Sequence, residues 1–264
     1  MRVRHLFVMV FLATTPLFFG SGAKPYSAKQ APPKIMLWSW FAEDDFRPLA
    51  NRDIGVAYLA LSLQFEGQRD VIPSPRSIPV WIPSNAYKMA AVRFNFDSYS
   101  NERPSFSNVQ RTIAVRMIAE IVGLARPQAL QIDFDAPRSA WPFYRQLVRD
   151  VRERTGPDVF LSVTALVSWC DTAQSWMTGL PVDEIVPMAF YMGQDTPAIV
   201  TMLQRGGQFA FHACRASIGV QVPFNDNPGW DIVRPRRTQR TYFFPDQQKW
   251  SPQLVARAQK EFLP

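Results

Sequence analysis

The heptapeptide LQIDFDA, Leu130–Ala136, carries the residues best placed to do chemistry. Leu130, Ile132 and Phe134 alternate with Gln131, Asp133 and Asp135, the period-two pattern of a β-strand whose faces meet different surroundings. The apolar set suits packing under helices, which leaves Gln131, Asp133 and Asp135 sharing the other face. Carboxylates at i and i+2 have Cα atoms ~7 Å apart. Like charges that close oppose joint ionisation, so one proton can be held near neutral pH for general acid work. Glycoside hydrolases place carboxyl pairs ~5–5.5 Å apart for retention and ~6.5–9.5 Å apart for inversion, and a DxD strand fits either. Hydrogen bonding of both aspartates to neighbouring strands fits the same pattern without any chemistry.

Other carboxylates follow apolar runs: Glu43, Asp44 and Asp45, then Glu66, Asp97 and Asp171. Each alone suits a loop or a helix cap. Together they predict an acidic rim around the central pair. Aromatic residues stand at the same places, among them Trp38, Trp40, Phe94, Phe96, Trp169, Tyr191 and Tyr242. Aromatic faces beside carboxylates suit sugar rings, which have apolar faces and polar edges. Trp38, Trp40, Phe96, Gln131, Trp169 and Tyr191 are therefore the expected substrate contacts. Past residue 23 there is one histidine, His212, which disfavours zinc sites and Ser-His-Asp triads. No spacing calls for a metal, and no cofactor is expected.

These residues need a scaffold. Short apolar runs at Ile35–Trp40, Ile54–Leu63, Ala90–Phe96, Ala129–Asp135, Val159–Leu166, Glu184–Phe190, Ser217–Val222 and Thr241–Phe244 read as eight strands. Helices are predicted from Ser107 to Ala125, from Ser139 to Gly156, from Thr196-Pro197 to Gly206-Gly207, and onward from Ser251-Pro252. A short helix is expected over Asp44–Asn51. Proline-studded Val71–Pro83 reads as irregular, with an extra strand pair near Ile78–Ile82. Eight strands, several followed by helices, in ~240 residues give an α/β fold, a single-domain TIM-like (β/α)₈ barrel with an irregular segment between strands 2 and 3. An open doubly wound sheet competes, but no GxGxxG or GxxxxGK[ST] follows any strand.

Residues 1–23 read as a secretory signal peptide: Arg2, Arg4 and His5, an apolar run to Phe19, then Ser21-Gly22-Ala23. That divides the chain into a leader, 1–23, and a barrel domain, 24–264, and implies a periplasmic or secreted monomer with no membrane span after cleavage. No cysteine follows the apolar run, which excludes a lipoprotein anchor. Past the leader, 27 basic residues face 22 acidic ones. Arg234, Arg236, Arg237 and Arg240 form the one basic cluster, suited to anionic glycans, lipid headgroups or plain solvent; no nucleic-acid motif accompanies it. Export would allow a Cys170–Cys214 disulfide. The barrel argues against it: one cysteine follows a strand and the other precedes one, at ends ~17 Å apart, and a disulfide needs Cα atoms within ~7 Å.

LQIDFDA with FYRQLVRDVRERTG, LSVTALVSWC and LPVDEIVPMAFYMG resembles a bacterial family, domain of unknown function 3142, across most of the chain from IMLWSW to TYFF. The order of elements also resembles, distantly, the family 18 glycoside hydrolases, the chitinases. There the fourth strand carries DxxDxDxE and the sixth a Met-x-Tyr-Asp run. Aligning both aspartates directly puts Pro137 at the catalytic glutamate, whereas a shift of two makes Asp135 the acid, Asp133 the residue behind it and Gln131 the outer aspartate. On the sixth strand Met188 matches, Phe190 replaces the tyrosine and Tyr191 the aspartate. The resemblance implies the barrel fold and the site's location; the inward carboxylate pair beside aromatic residues points to an enzyme acting on polysaccharide, with Asp135 as acid/base and Asp133 tuning its pKa or serving as the second carboxylate. A glycan-binding or envelope scaffold protein on a degenerate barrel is the alternative.

Overall fold

A computed structural model describes residues 29–49, 53–96, 102–222, 239–246 and 249–262. The predicted leader, Asp97, and Arg234, Arg236 and Arg237 lie outside them. Eight parallel strands close into a barrel: β1 Ile35–Ser39, β2 Ile54–Glu66, β3 Tyr87–Asn95, β4 Ala129–Asp133, β5 Phe160–Leu166, β6 Glu184–Met188, β7 Ser217–Val222 and β8 Arg240–Pro245. Each strand pairs with its sequence neighbours, and β8 pairs with β1 to complete the ring. This is the single-domain (β/α)₈ architecture that the spacing of apolar runs predicts, with four α-helices described: α1 Asn108–Ala125, α2 Trp141–Thr155, α3 Thr196–Gln204 and α4 Pro252–Phe262. No described helix is long and apolar enough to cross a membrane.

The irregular segment falls between β2 and β3, as expected. Asp70–Pro75 folds back antiparallel on the far half of β2, and Val80–Trp81 pairs with Asp44–Asp45. That pairing replaces the short helix expected over Asp44–Asn51. The Asp44 carboxylate accepts from the Ser39 hydroxyl at 2.6 Å and the Trp250 N–H at 2.9 Å, which keeps its backbone extended; among the described residues of that stretch a 3₁₀ turn, Arg47–Leu49, is the helix that forms.

The start of α1 is a capping box. Ser107 Oγ accepts from the Gln110 N–H at 3.2 Å, and Gln110 Oε1 accepts from the Ser107 N–H at 3.0 Å. Ser139 does not cap α2: a 3₁₀ turn, Arg138–Ala140, runs straight into the helix. Pro142 in the first turn lacks the donor that a cap would have satisfied. The helix ends at Gly156, whose φ of 80° suits glycine.

Two packing zones result. Between strands and outer elements lies a core that includes Leu130, Ile132, Phe134, Leu147 and Ile118. Inside the barrel lies a smaller one built on Met36, Trp38, Leu59, Met89, Tyr242 and Phe244. The floor of the interior is polar. Trp38 Nε1 donates to Gln131 Oε1 at 2.6 Å, Gln131 Nε2 to Ser162 Oγ at 3.0 Å, and Ser162 Oγ to Glu184 at 3.3 Å. Glu184 also accepts from Tyr242 at 2.6 Å, from Ser217 and from Arg240. A buried carboxylate with a cation and three hydroxyls around it is fully satisfied. Arg240, expected in a surface cluster, is thus an interior residue; it also donates to the Pro32 and Pro33 carbonyls, pinning the chain before β1 across the barrel bottom.

Cys170 and Cys214 form a disulfide with Cα atoms 6.0 Å apart, contrary to expectation. The chain after β5 does not stay at its strand end. It turns outward in the 3₁₀ segment Val167–Cys170, which packs on β6 together with the 3₁₀ segment His212–Arg215 that precedes β7. The Phe211 N–H bonds the Cys170 carbonyl at 3.0 Å, so the two cysteines meet over one strand. The bond spans 44 residues of chain. A Cys170→Ser/Cys214→Ser double variant should lose about 2–4 kcal/mol of unfolding free energy, read as a lower urea midpoint. Two free thiols titrating in the native protein would contradict the bond.

Candidate active site

Paired residues on parallel strands turn the same way, so the ladder between β3 and β4 decides what Asp133 meets. Arg93 is its partner in register. Arg93 Nη1 donates to Asp133 Oδ2 at 2.9 Å, and Thr164 on β5 donates to Oδ1 at 2.8 Å. Both oxygens are held, and the residue is 3% exposed. Arg93 Nε donates to Asn95 at 3.1 Å, and its guanidinium lies 4.9 Å from the Trp40 ring centre.

Asp135 differs. It follows the end of β4, its side chain is 52% exposed, and its nearest cation, Arg93 Nη2, is 4.0 Å away. Loss of water beneath the concave walls, then the charge of Asp133, push its carboxyl up to about 6 against the pull of Arg93. Solvent still reaches the open half, so the group combines access with a proton available near neutral pH. Tyr144, on α2 behind this strand, is wholly buried and has its hydroxyl pushed well above the usual range, by desolvation first and then by the two aspartates.

These side chains floor a cleft of about 430 Å³ at the C-terminal mouth of the barrel. Trp40 and Phe41 wall it after β1, Phe190 and Tyr191 after β6, Phe244 on β8 and Asp246 just after it. The wall is continuous: Trp38 lies 4.4 Å from Trp40 and 5.3 Å from Phe244, and Phe190 lies 4.7 Å from Phe244. Tyr191 is 76% exposed and sits at φ 50°, an uncommon left-handed conformation for a bulky residue. Gln221 Nε2 donates to its hydroxyl at 2.8 Å, which fixes the ring over the opening.

The structure brings Asp133, Asp135, Trp40 and Tyr191 together in this cleft. Trp38 and Gln131 lie one layer below, bonded to each other and closed to solvent. Phe96 is out of phase with Arg93 and Asn95, so it faces outward and packs edge-on against Phe106 and Phe134. Trp169 leaves with the outward turn after β5 and meets Trp176 at 5.0 Å. Among the described residues the acidic rim does not form. Asp44 is buried in its own hydrogen bonds, Asp45 pairs with Arg47 at 2.7 Å, and neither they nor Glu43, Glu66 or Asp171 line the cleft. Arg93, Asn95, Thr164 and Asp246 are the site residues that sequence reasoning missed. For Arg93 and Asn95 the signal was present, a charged and a polar residue on one face of AAVRFNF. Among the described residues no group of three His, Cys, Asp or Glu is arranged to hold a metal.

No protein-family model and no curated protein matches the sequence. Solved structures do match. A protein assigned as chitinase A from Streptomyces coelicolor superposes with a TM-score of 0.50 at 9% identity, over 87% of this chain and 96% of that one. A chitinase from Rhizomucor miehei gives a TM-score of 0.41 at 12% identity, over 70% and 68% of the two chains. The spore cortex-lytic enzyme SleL from Bacillus cereus gives 0.40 at 12% identity, over 71% of this chain and 50% of SleL. The first of these establishes a shared barrel fold.

Two expectations test the site. Arg93→Met strands Asp133 with one partner in a buried setting, and should cost about 2–4 kcal/mol in urea denaturation. Because Asp135 titrates at about 6 when folded and at 3.8 when free, the fold disfavours its charge. The stability it contributes is full below pH 3.8 and is lost as pH rises through about 6. Asp135→Asn should therefore raise Tm relative to the parent at pH 7.5 but not at pH 3.5; equal shifts at both would remove the assigned burial cost.

Proposed function

We propose that this chain is an exported glycoside hydrolase acting on polysaccharide, with Asp135 as the proton donor. The observation that carries the reading is the contrast between the two aspartates of one strand. Asp133 is locked by Arg93 and Thr164, while Asp135 stays open to the cleft with its proton held to about pH 6. A glycosidic oxygen leaves poorly as an alkoxide, so a carboxylic acid aimed at it lowers the barrier. Trp40, Phe190 and Phe244 offer apolar surface to the faces of a sugar ring, and Arg93 and Asn95 offer donors to its edge. A structural relative assigned as a chitinase supports the same class. The shifted alignment with the chitinases also supports Asp135 as acid, with Asp133 behind it and Gln131 buried beneath.

The test is a panel of soluble β-1,4-linked glucose and N-acetylglucosamine oligosaccharides, offered to the purified chain without its leader. Asp135→Asn should lower kcat at least about 100-fold with KM little changed. The acid must be protonated in the free enzyme, so kcat/KM should fall as pH rises above about 6. Full turnover by folded Asp135→Asn would rule out its role. Tight oligosaccharide binding by the parent without any turnover would assign the cleft to glycan binding instead.

A further inference from the structure

An acid that gives up its proton is left with a charge, and the groups around it decide how well that charge is borne. We infer that Arg93 is a positioning residue for the reaction: its guanidinium takes up the negative charge left on Asp135 as the proton departs. This rests on reading Asp135 as the proton donor.

Arg93 is fixed before any substrate arrives. It stands opposite Asp133 in register and lines the cleft. Nη1 donates to Asp133 Oδ2 at 2.9 Å, Nε donates to Asn95 Oδ1 at 3.1 Å, and the guanidinium lies 4.9 Å from the Trp40 ring centre. A guanidinium is planar, so holding two of its nitrogens also aims the third. That third nitrogen, Nη2, stands 4.0 Å from Asp135 Oδ2. The separation is too long for a hydrogen bond but short enough for a strong electrostatic pull. A neutral carboxyl draws a cation weakly, whereas an ionised one accepts from it in a charge-assisted bond. The Asp135 side chain is 52% exposed, so a small rotation toward Nη2 closes the gap once it ionises.

The other groups facing Asp135 do not fit this part. Asp133 repels the new charge. Tyr144, on α2 behind β4, keeps its proton well above the usual range and stays neutral. Thr164 on β5 is engaged with Asp133. Leu166 on β5 and Met188 on β6 bring no charge, and Asp246, just past β8, is another acid. Among the described residues lining the cleft, Arg93 is the one cation.

In the step, the bond from the anomeric carbon to the glycosidic oxygen breaks, its electron pair goes to that oxygen, and the oxygen takes the proton of Asp135. Asp135 is left ionised and closes on Nη2; Arg93 neither gains nor loses a proton. Over the turnover, the oxygen of one water goes to the anomeric carbon and a water proton restores Asp135. Without the cation, the charged form of Asp135 loses its partner, so the carboxyl holds its proton to higher pH. The same loss makes it a weaker acid, so the protonated enzyme turns over more slowly. A merely structural role would lower activity without moving the pH profile upward.

The test is Arg93→Gln in the purified protein, with two readouts. One is the titration of the Asp135 carboxyl by carbon NMR, assigned by its absence from Asp135→Asn. The other is the pH profile on the oligosaccharide of the panel that the parent cleaves best. Asp135 titrates at about 6 in the parent. In Arg93→Gln it should titrate about 1 pH unit higher, and the descending limb of kcat/KM should move up with it. On the acid plateau kcat should fall about 3- to 10-fold, because Brønsted behaviour passes on part of a change in acid strength. An Asp135 titration that does not move, or a plateau kcat equal to the parent's, overturns the role of Arg93 and leaves the acid standing. A titration that moves while the limb stays overturns Asp135 as the acid. A parent that cleaves no member of the panel overturns both. Because Arg93→Gln strands the buried Asp133, the comparison is repeated in Asp133→Asn, where no buried carboxylate is left unpaired. Adding Arg93→Gln there should again raise the Asp135 titration, and a failure to do so overturns the role of Arg93.

Discussion

The pairing of Arg93 with Asp133 is the constraint on which the mouth of this barrel depends. A carboxylate with 3% of its surface exposed is costly unless its charge is met. Register supplies the answer, since Arg93 stands opposite Asp133 in the β3–β4 ladder and Thr164 reaches it from the other side. The same guanidinium lies against Trp40, which fixes one wall of the cleft, and stands 4.0 Å from Asp135, which limits how far that carboxyl can rise. Wall, floor and acid strength are thus set by one cation. Its own placement is set by β3 alternating inward at Ala91, Arg93 and Asn95.

A register shift in β2 extends this polar floor. The strand is out of step with β3 between Leu59 and Leu61. Leu59 faces inward below the shift, and Ser62 and Gln64 pair with Arg93 and Asn95 above it. One inserted residue therefore changes a hydrophobic inward file into a polar one at the height where the cleft begins. The hairpin strand Asp70–Pro75 continues β2 beyond the barrel, and Arg76 after it donates to the Trp40 and Ala42 carbonyls. The irregular segment is thus the brace for the Trp40–Phe41 wall.

The fold was legible because buried parallel strands leave apolar runs, and all eight lie where those runs stand. Helix ends with a local chemical cause were legible too, as at Ser107 and Gly156. Ser139 misled because a 3₁₀ turn and Pro142 do the work of a cap without a side-chain bond. In the cleft, alternation put Asp133 and Asp135 on the inward face that lines it, and the same rule applied to β3 would have chosen Arg93 and Asn95 over Phe96. Trp169, Asp246 and the disulfide were not legible in the same way. Their positions depend on where the chain goes after a strand stops, and the outward turn at Val167–Cys170 has no local signature. Arg240 shows the opposite failure: a basic cluster in sequence hides a residue that the topology takes into the barrel.

The vertical order of the barrel interior locates the chemistry. At the bottom, Glu184 and Arg240 satisfy each other and the hydroxyls around them, and proline carbonyls close that end. In the middle, Trp38, Tyr242, Phe244 and Met89 exclude water. At the top, the Asp135 side chain is 52% exposed and lines the cleft. A polar group fully bonded at rest has nothing to give a substrate, and one that is wholly solvated has no reason to hold a proton near pH 6. Asp135, at the mouth of the barrel, meets neither extreme.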